Sequence, residues 1–212
     1  MNILFINNND SFVYNLVNYI CQLQPSSSTK LIIEDNKISI EKIRDLKIET
    51  IIISPGPGHP KYDTNNVIPI IKAFYSEIPI LGICLGHQAI VEAFGELENP
   101  NNNTEYVGRA KVGPMHGKIS KIFHDQENIF KGIPNPLMGV RYHSLAAKTD
   151  ILPQSLKISA TADDGTIMGV RHKKYPIEGV QFHPEAIKMK PYGMAILKNF
   201  LELSNERKYD YT

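Results

Sequence analysis

Disulfides, net charge and long apolar runs are all scarce in this 212-residue chain. The two cysteines, Cys21 and Cys84, are too few for a disulfide framework, and both are expected as reduced thiols in a cytosol-like compartment. Lys and Arg number 23 against 22 Asp and Glu, a formal net charge of +1. With no basic run either, nucleic acid is not an implied partner. No apolar stretch approaches the ~20 residues of a membrane span, so no membrane is expected. Met1 to Ile6 lacks a charged n-region and a cleavage site, and is expected to be a first strand rather than a signal peptide. The expected location is the cytoplasm, or the plastid stroma if the chain is organelle-encoded. No internal repeat or linker divides the sequence. One domain over residues 1–204 and a polar tail over 205–212 are expected.

What is present is an alternation. Residues 2–6, 30–34 and 50–54 are apolar, β-branched runs, separated by helical spacing in Phe12, Leu16, Tyr19 and Leu23 and by a short helix holding Ile40, Ile43 and Leu46. Asp10 or Ser11 can cap the first helix and Ser39 the second, and Cys21 is expected to pack inside the first. Such alternation predicts an α/β fold with an open, mostly parallel, doubly wound sheet. A helix with Val67, Ile70, Ile71 and Phe74 follows. Beyond residue 110, β-type runs at 119–123, 137–142, 156–162, 166–171 and 177–182 predict a smaller antiparallel extension, closed by a helix at 191–203. Residues 96–110 are polar and Asn-rich and are expected to form a surface excursion.

Three stretches carry chemistry. Pro79 to Val91 reads as strand, sharp turn and helix, the helix ending at Gly95. Its Gly82-Ile83-Cys84-Leu85-Gly86 turn has the form of a nucleophile elbow with sulfur in place of a serine oxygen. The helix that begins there points its positive end at the sulfur and favours a thiolate. A cysteine in such a setting can equally be a small buried hydrophobe. Pro55-Gly56-Pro57-Gly58-His59-Pro60 closes the third strand. Ligands of open parallel sheets bind at the carboxyl ends of strands, so this loop and the elbow should be neighbours. The Gly58 and Leu85 amides can then serve as two oxyanion donors. Gly179-Val180-Gln181-Phe182-His183-Pro184-Glu185 places His183 and Glu185 two apart, on one face if the backbone is extended. They can act as base and orienting carboxylate for a cysteine nucleophile, or stand as solvated residues at a strand end. Without a third ligand candidate, a metal site is not expected.

Together, Ser54 to Gly58, Gly82 to Gln88 and Gly179 to Glu185 resemble the signature blocks of class I, triad-type glutamine amidotransferases. Asn9 to Val17, Met115 to Lys118, Arg141 to Leu145 and Ile167 to His172 are similar to blocks of the glutaminase subunits of anthranilate synthase and aminodeoxychorismate synthase. The likeness runs through essentially the whole chain in the same order. It implies that Cys84 attacks the side-chain amide of L-glutamine, that His183 is base and then acid, and that Glu185 orients it. Gly58 and Leu85 would hold the oxyanion. Gly56, Pro57, Gly58, Gln88, Ser144 and Leu145 would bind glutamine. His116, Gly117 and Lys118 would face the partner, a chorismate-binding anthranilate synthase component I or its aminodeoxychorismate counterpart. No cofactor or metal is implied for this chain, and Mg²⁺ is expected only in the partner. Of the two products, anthranilate is preferred. A stand-alone γ-glutamyl hydrolase and a non-catalytic regulatory subunit are the competing readings, opposed respectively by the Met115 to Lys118 block and by the intact triad. Two departures stand out: Ala186 where the family carries Ser, and an apparent insertion near 98–108.

Overall fold

A computed structural model describes residues 1–24 and 29–206. Its framework is a nine-stranded sheet. The parallel part joins β1 (Asn2–Asn7), β2 (Lys30–Asp35), β3 (Thr50–Ile53), β4 (Ile80–Ile83) and β11 (Ile177–Val180) in the order β2-β1-β3-β4-β11. The interiors of β1, β3 and β4 are apolar runs because both faces are covered, whereas β11 carries buried Glu178. Every residue of β3, β4 and β11 is buried. On one face lie α1 (Val13–Leu23) and α5 (Tyr192–Glu206), which pack Val13, Leu16 and Ile20 together with Ile196, Leu197 and Phe200. The other face takes α2 (Ile40–Asp45), α3 (Val67–Phe74) and α4 (Leu85–Glu98), through Ile43, Ile70, Phe74, Ala89 and Ile90. The doubly wound expectation is therefore met.

Beyond β11 the sheet continues antiparallel through β10 (Ile167–His172), β9 (Leu156–Ala162), β6 (Lys118–His124) and β7 (Leu137–Arg141). A separate two-stranded ribbon pairs β5 (Val107–Arg109) with β8 (Leu145–Ala147). Ser39 caps α2 as anticipated, its hydroxyl accepting from the Lys42 amide at 3.2 Å. Asp10 accepts the Phe12 amide at 2.7 Å, but α1 takes Phe12 itself as N-cap with no side-chain cap bond, so neither Asp10 nor Ser11 caps it as expected.

Several details depart from expectation. Gly95 does not end α4, which runs on to Glu98. A side chain at position 95 would collide with the Tyr106 ring, so the glycine is a slot for that ring and not a stop signal. Residues 97–103 are exposed, as a surface excursion would be, but the segment turns inward after them. Tyr106 and Val107 are buried, and both donate their amides to Oε1 of buried Glu92, at 2.9 and 2.7 Å. Cys21 is exposed rather than packed. α5 extends through Glu206, past the expected start of the tail. The Pro25 to Ser28 break and positions 207–212 lie outside the described residues.

Candidate active site

The strand order β3-β4-β11 dictates the site. The Pro-Gly loop leaves β3, the cysteine leaves β4 and the histidine leaves β11, so all three emerge side by side at one edge of the sheet. A side chain at Gly56 would meet Leu85 Cδ2 at 2.8 Å and Asn8 Cβ at 2.5 Å, so loop and elbow do adjoin. Buried Asn8 ties the end of β1 to the end of β3. Its amide donates to Ser54 Oγ at 2.9 Å, and its Nδ2 donates to the Ser54 carbonyl at 3.0 Å.

Cys84 occupies the elbow with φ 53° and ψ −100°, a left-handed conformation that costs a non-glycine residue of order 1–3 kcal/mol and persists only where the surroundings enforce it. They do so here. The turn folds so tightly that a Cβ on Gly86 would stand 2.6 Å from the Ile53 carbonyl oxygen. Gln181 Nε2 donates to the cysteine sulfur at 3.5 Å, and Sγ lies 3.9 Å from the Tyr142 carbonyl oxygen.

His183 and Glu185 are both buried, and Nδ1 of the imidazole meets Oε1 of the carboxylate at 2.6 Å. They do not reach this contact from extended backbone, as their spacing suggested. β11 ends at Val180 and the two residues lie in the turn that follows, anchored by the His183 amide on the Val140 carbonyl at 3.0 Å. Burial alone would push the imidazole pKa down. The Cys84 sulfur and the Glu185 carboxylate outweigh it and hold it well above the ordinary histidine value. Among the described residues Nε2 itself has no hydrogen bond, so the sulfur favours a proton there without yet receiving one in formed geometry, as is common before substrate binds. His87, inside the elbow motif, is fully buried and held neutral, its pKa pushed down to about 3 chiefly by burial.

Gly58, Ser144 and Leu145 line one cavity of about 590 Å³, with His59, Arg109, Ala110, Gly113 and Pro114. Gly58 has φ +89°, a backbone state open to glycine. Gln88 reaches the same wall from inside, its Nε2 donating to the Leu145 carbonyl at 3.0 Å and to Gln181 Oε1 at 2.9 Å. Pro57 is exposed at the loop tip. At the rim, Tyr142 sets its ring edge-on to His183, with centroids 5.2 Å apart. Half-exposed Phe12 stands 6.1 Å from His183. His116 packs on Tyr142 at 5.5 Å, Gly117 turns beside the same ring, and exposed Lys118 opens β6. The segment expected to meet a partner is thus continuous with the mouth of the site. Phe12, Tyr142 and Gln181 stand inside the recognised blocks but were given no role from sequence, and Arg109 lies outside every block and is brought here only by tertiary register. Among the described residues, no group of three or more His, Cys, Asp or Glu could hold a metal ion, and no helix is long and apolar enough to cross a membrane.

Known proteins resemble this chain closely. The family model for class I glutamine amidotransferases matches residues 4–203. An anthranilate synthase component 2 from Methanocaldococcus jannaschii is 52% identical over 94% of this chain and 96% of its own length. An aminodeoxychorismate/anthranilate synthase component 2 from Bacillus subtilis is 43% identical over 94% of this chain and 95% of its own. Among solved structures, a glutamine amidotransferase from Thermotoga maritima shares the fold, with a TM-score of 0.73 at 16% identity over 97% of this chain and 98% of its own. With family model and relatives spanning nearly its whole length, the chain belongs to the class I glutamine amidotransferases.

Proposed function

We propose that this chain is the glutaminase subunit of an anthranilate synthase. In this reading His183 has already taken the thiol proton, as its raised pKa favours, and the Cys84 thiolate attacks the side-chain carboxamide carbon of glutamine. The tetrahedral oxyanion rests on the Gly58 and Leu85 amides. It collapses with transfer of the proton from His183 to the departing ammonia, leaving a γ-glutamyl thioester. Water, deprotonated by His183, then releases glutamate and the free thiol. Glu185 keeps the Nδ1 proton in place so that Nε2 faces the sulfur throughout. Ammonia passes to a chorismate-using partner that meets the rim at His116, Gly117 and Lys118.

One observation carries the reading: a cysteine held at φ 53° on a strand–helix elbow, beside a buried His183–Glu185 pair 2.6 Å apart. The relative from M. jannaschii, named an anthranilate synthase component 2, directs the choice of product. The B. subtilis relative carries both product names, so aminodeoxychorismate is the second reading.

The test is to purify the chain with a chorismate-binding synthase subunit from the same source, then supply glutamine, chorismate and Mg²⁺ and identify the product. Anthranilate is expected, and aminodeoxychorismate would transfer the assignment to folate synthesis. Cys84→Ser should abolish synthesis from glutamine and spare synthesis from free ammonia. Loss of both would refute the division of labour.

A further inference from the structure

Among the described residues Arg141 heads the large side chains with no exposure to solvent. An arginine so placed needs several partners to offset its desolvation, and it has them. One terminal nitrogen donates to Ser120 Oγ at 3.0 Å and to Asp164 Oδ2 at 2.5 Å. The other donates to Thr166 Oγ1 at 3.2 Å. These anchors lie on β6 and on the β9–β10 turn, away from the reacting groups. The third nitrogen, Nε, points back towards the site and donates to His143 Nε2 at 3.0 Å.

That contact fixes a tautomer. A guanidinium can only donate, so His143 Nε2 must accept and the ring proton must sit on Nδ1. Nδ1 in turn donates to the Leu145 carbonyl oxygen at 2.9 Å. The same carbonyl takes the Gln88 Nε2 hydrogen bond at 3.0 Å, Gln88 bonds Gln181 at 2.9 Å, and Gln181 bonds the Cys84 sulfur at 3.5 Å. A continuous polar chain therefore runs from the buried guanidinium to the nucleophile. The segment it braces, Tyr142 to Leu145, supplies the Ser144 and Leu145 wall of the cavity.

We infer that Arg141 and His143 are positioning residues for glutamine binding: Arg141 locks the His143 ring, and the ring fixes the Leu145 carbonyl and hence the wall against which the substrate lies. Neither touches the reacting atoms. The inference rests on the glutaminase reading of the site. It makes glutamine affinity, rather than the chemical step, depend on this pair.

The surroundings of His143 add a second signature. Burial and the charge on Arg141 hold its pKa down to about 4, His183 acts in the same direction, and the Leu145 carbonyl and Asp164 oppose them. His87 also faces it. Without the guanidinium, His143 would titrate closer to the ordinary histidine range, and protonation would replace the Nε2 acceptor with a donor.

The experiment measures steady-state glutamine kinetics of the assembled synthase between pH 6 and 8. Arg141→Met keeps the unbranched apolar stem of the side chain and removes its donors. His143→Phe keeps a ring of similar size and removes both hydrogen bonds. Each should raise KM for glutamine about tenfold, as expected for a lost charge-assisted hydrogen bond, with kcat within about twofold. Arg141→Met should show KM climbing further as pH falls towards 6, whereas the parent and His143→Phe stay flat. The double variant should be no worse than the worse single one, because both act through one chain. A KM unchanged in His143→Phe, or a fall in kcat at constant KM, overturns the inference. Should Arg141→Met not fold, His143→Phe and Asp164→Asn carry the same KM test. A parent complex inactive with glutamine but active with ammonia would instead defeat the glutaminase reading itself.

Discussion

Nδ1 of His183 lies 2.6 Å from Oε1 of Glu185, both side chains are buried, and the other carboxylate oxygen has no partner among the described residues. The carboxylate thus has one strong contact, and on the proposed function it holds the imidazole proton on Nδ1. Glu185→Gln preserves the shape but offers an amide N–H that can turn the ring to the wrong tautomer. Glutamine-dependent kcat should fall by about 10²–10⁴-fold, with ammonia-dependent synthesis by the complex unchanged. An effect below about fivefold would show that the ring is oriented by other means.

The elbow makes a prediction about stability. A Cβ at position 86 would press on the Ile53 carbonyl at 2.6 Å, and on the Ile53 side chain at 2.9 Å. Neither is free to move, since Ile53 belongs to a fully buried strand. Gly86→Ala should therefore cost roughly 1–3 kcal/mol, visible as a lower urea midpoint at unchanged m-value. It should also slow alkylation of Cys84. An unaltered midpoint would mean that the helix start can slide away from β3.

How much of this was legible in sequence follows from the range of each interaction. The elbow could be read because its strand, turn and helix signals are contiguous, and the doubly wound sheet because each buried strand announces itself as an apolar run. Gly95 was misread because the ring that needs it, Tyr106, sits in a segment whose polar neighbours conceal it. Glu92, which pins that segment, looks like any helical glutamate until its two amide partners are seen. The His183–Glu185 spacing was informative, but a turn and not a strand closes the contact. Arg109 carried no local signal at all, because its relation to the site depends on strand register; Arg141 opened a recognised block, but nothing local showed that its guanidinium braces His143.

Arg109 illustrates the point. It pairs across the ribbon with Leu145 and lines the 590 Å³ cavity beside Gly58 and Ser144. A guanidinium at that wall suits a substrate that carries a free α-carboxylate. Arg109→Gln should raise KM for glutamine by about tenfold, the scale of one charge-assisted contact, while kcat is kept. Discrimination against an analogue lacking the α-carboxylate should weaken in parallel. If the variant loses equally with both compounds, the arginine supports the ribbon and not the substrate.

Glu178 supplies a prediction in pH. It is fully buried on β11, where its Oε1 accepts from Arg171 Nε at 2.5 Å and from Asn128 Nδ2 at 2.9 Å. Burial nonetheless prevails over Arg171 and raises its pKa from 4.5 to about 7. A carboxyl that holds its proton more tightly when folded takes up protons on folding. Its contribution is therefore full below pH 4.5 and is lost as pH rises to about 7, at roughly 1.4 kcal/mol per unit. The parent profile also contains opposing terms. His87 and His143, depressed to about 3 and about 4, make folding more favourable as pH rises towards 6.5. The difference between parent and Glu178→Gln cancels those terms, because Arg171 keeps its pairing with Asp125 and Glu127 in both proteins. Urea midpoints at pH 5 and pH 8 should show the variant gaining on the parent as pH rises. A constant difference between the two would mean that Arg171 keeps Glu178 ionised throughout.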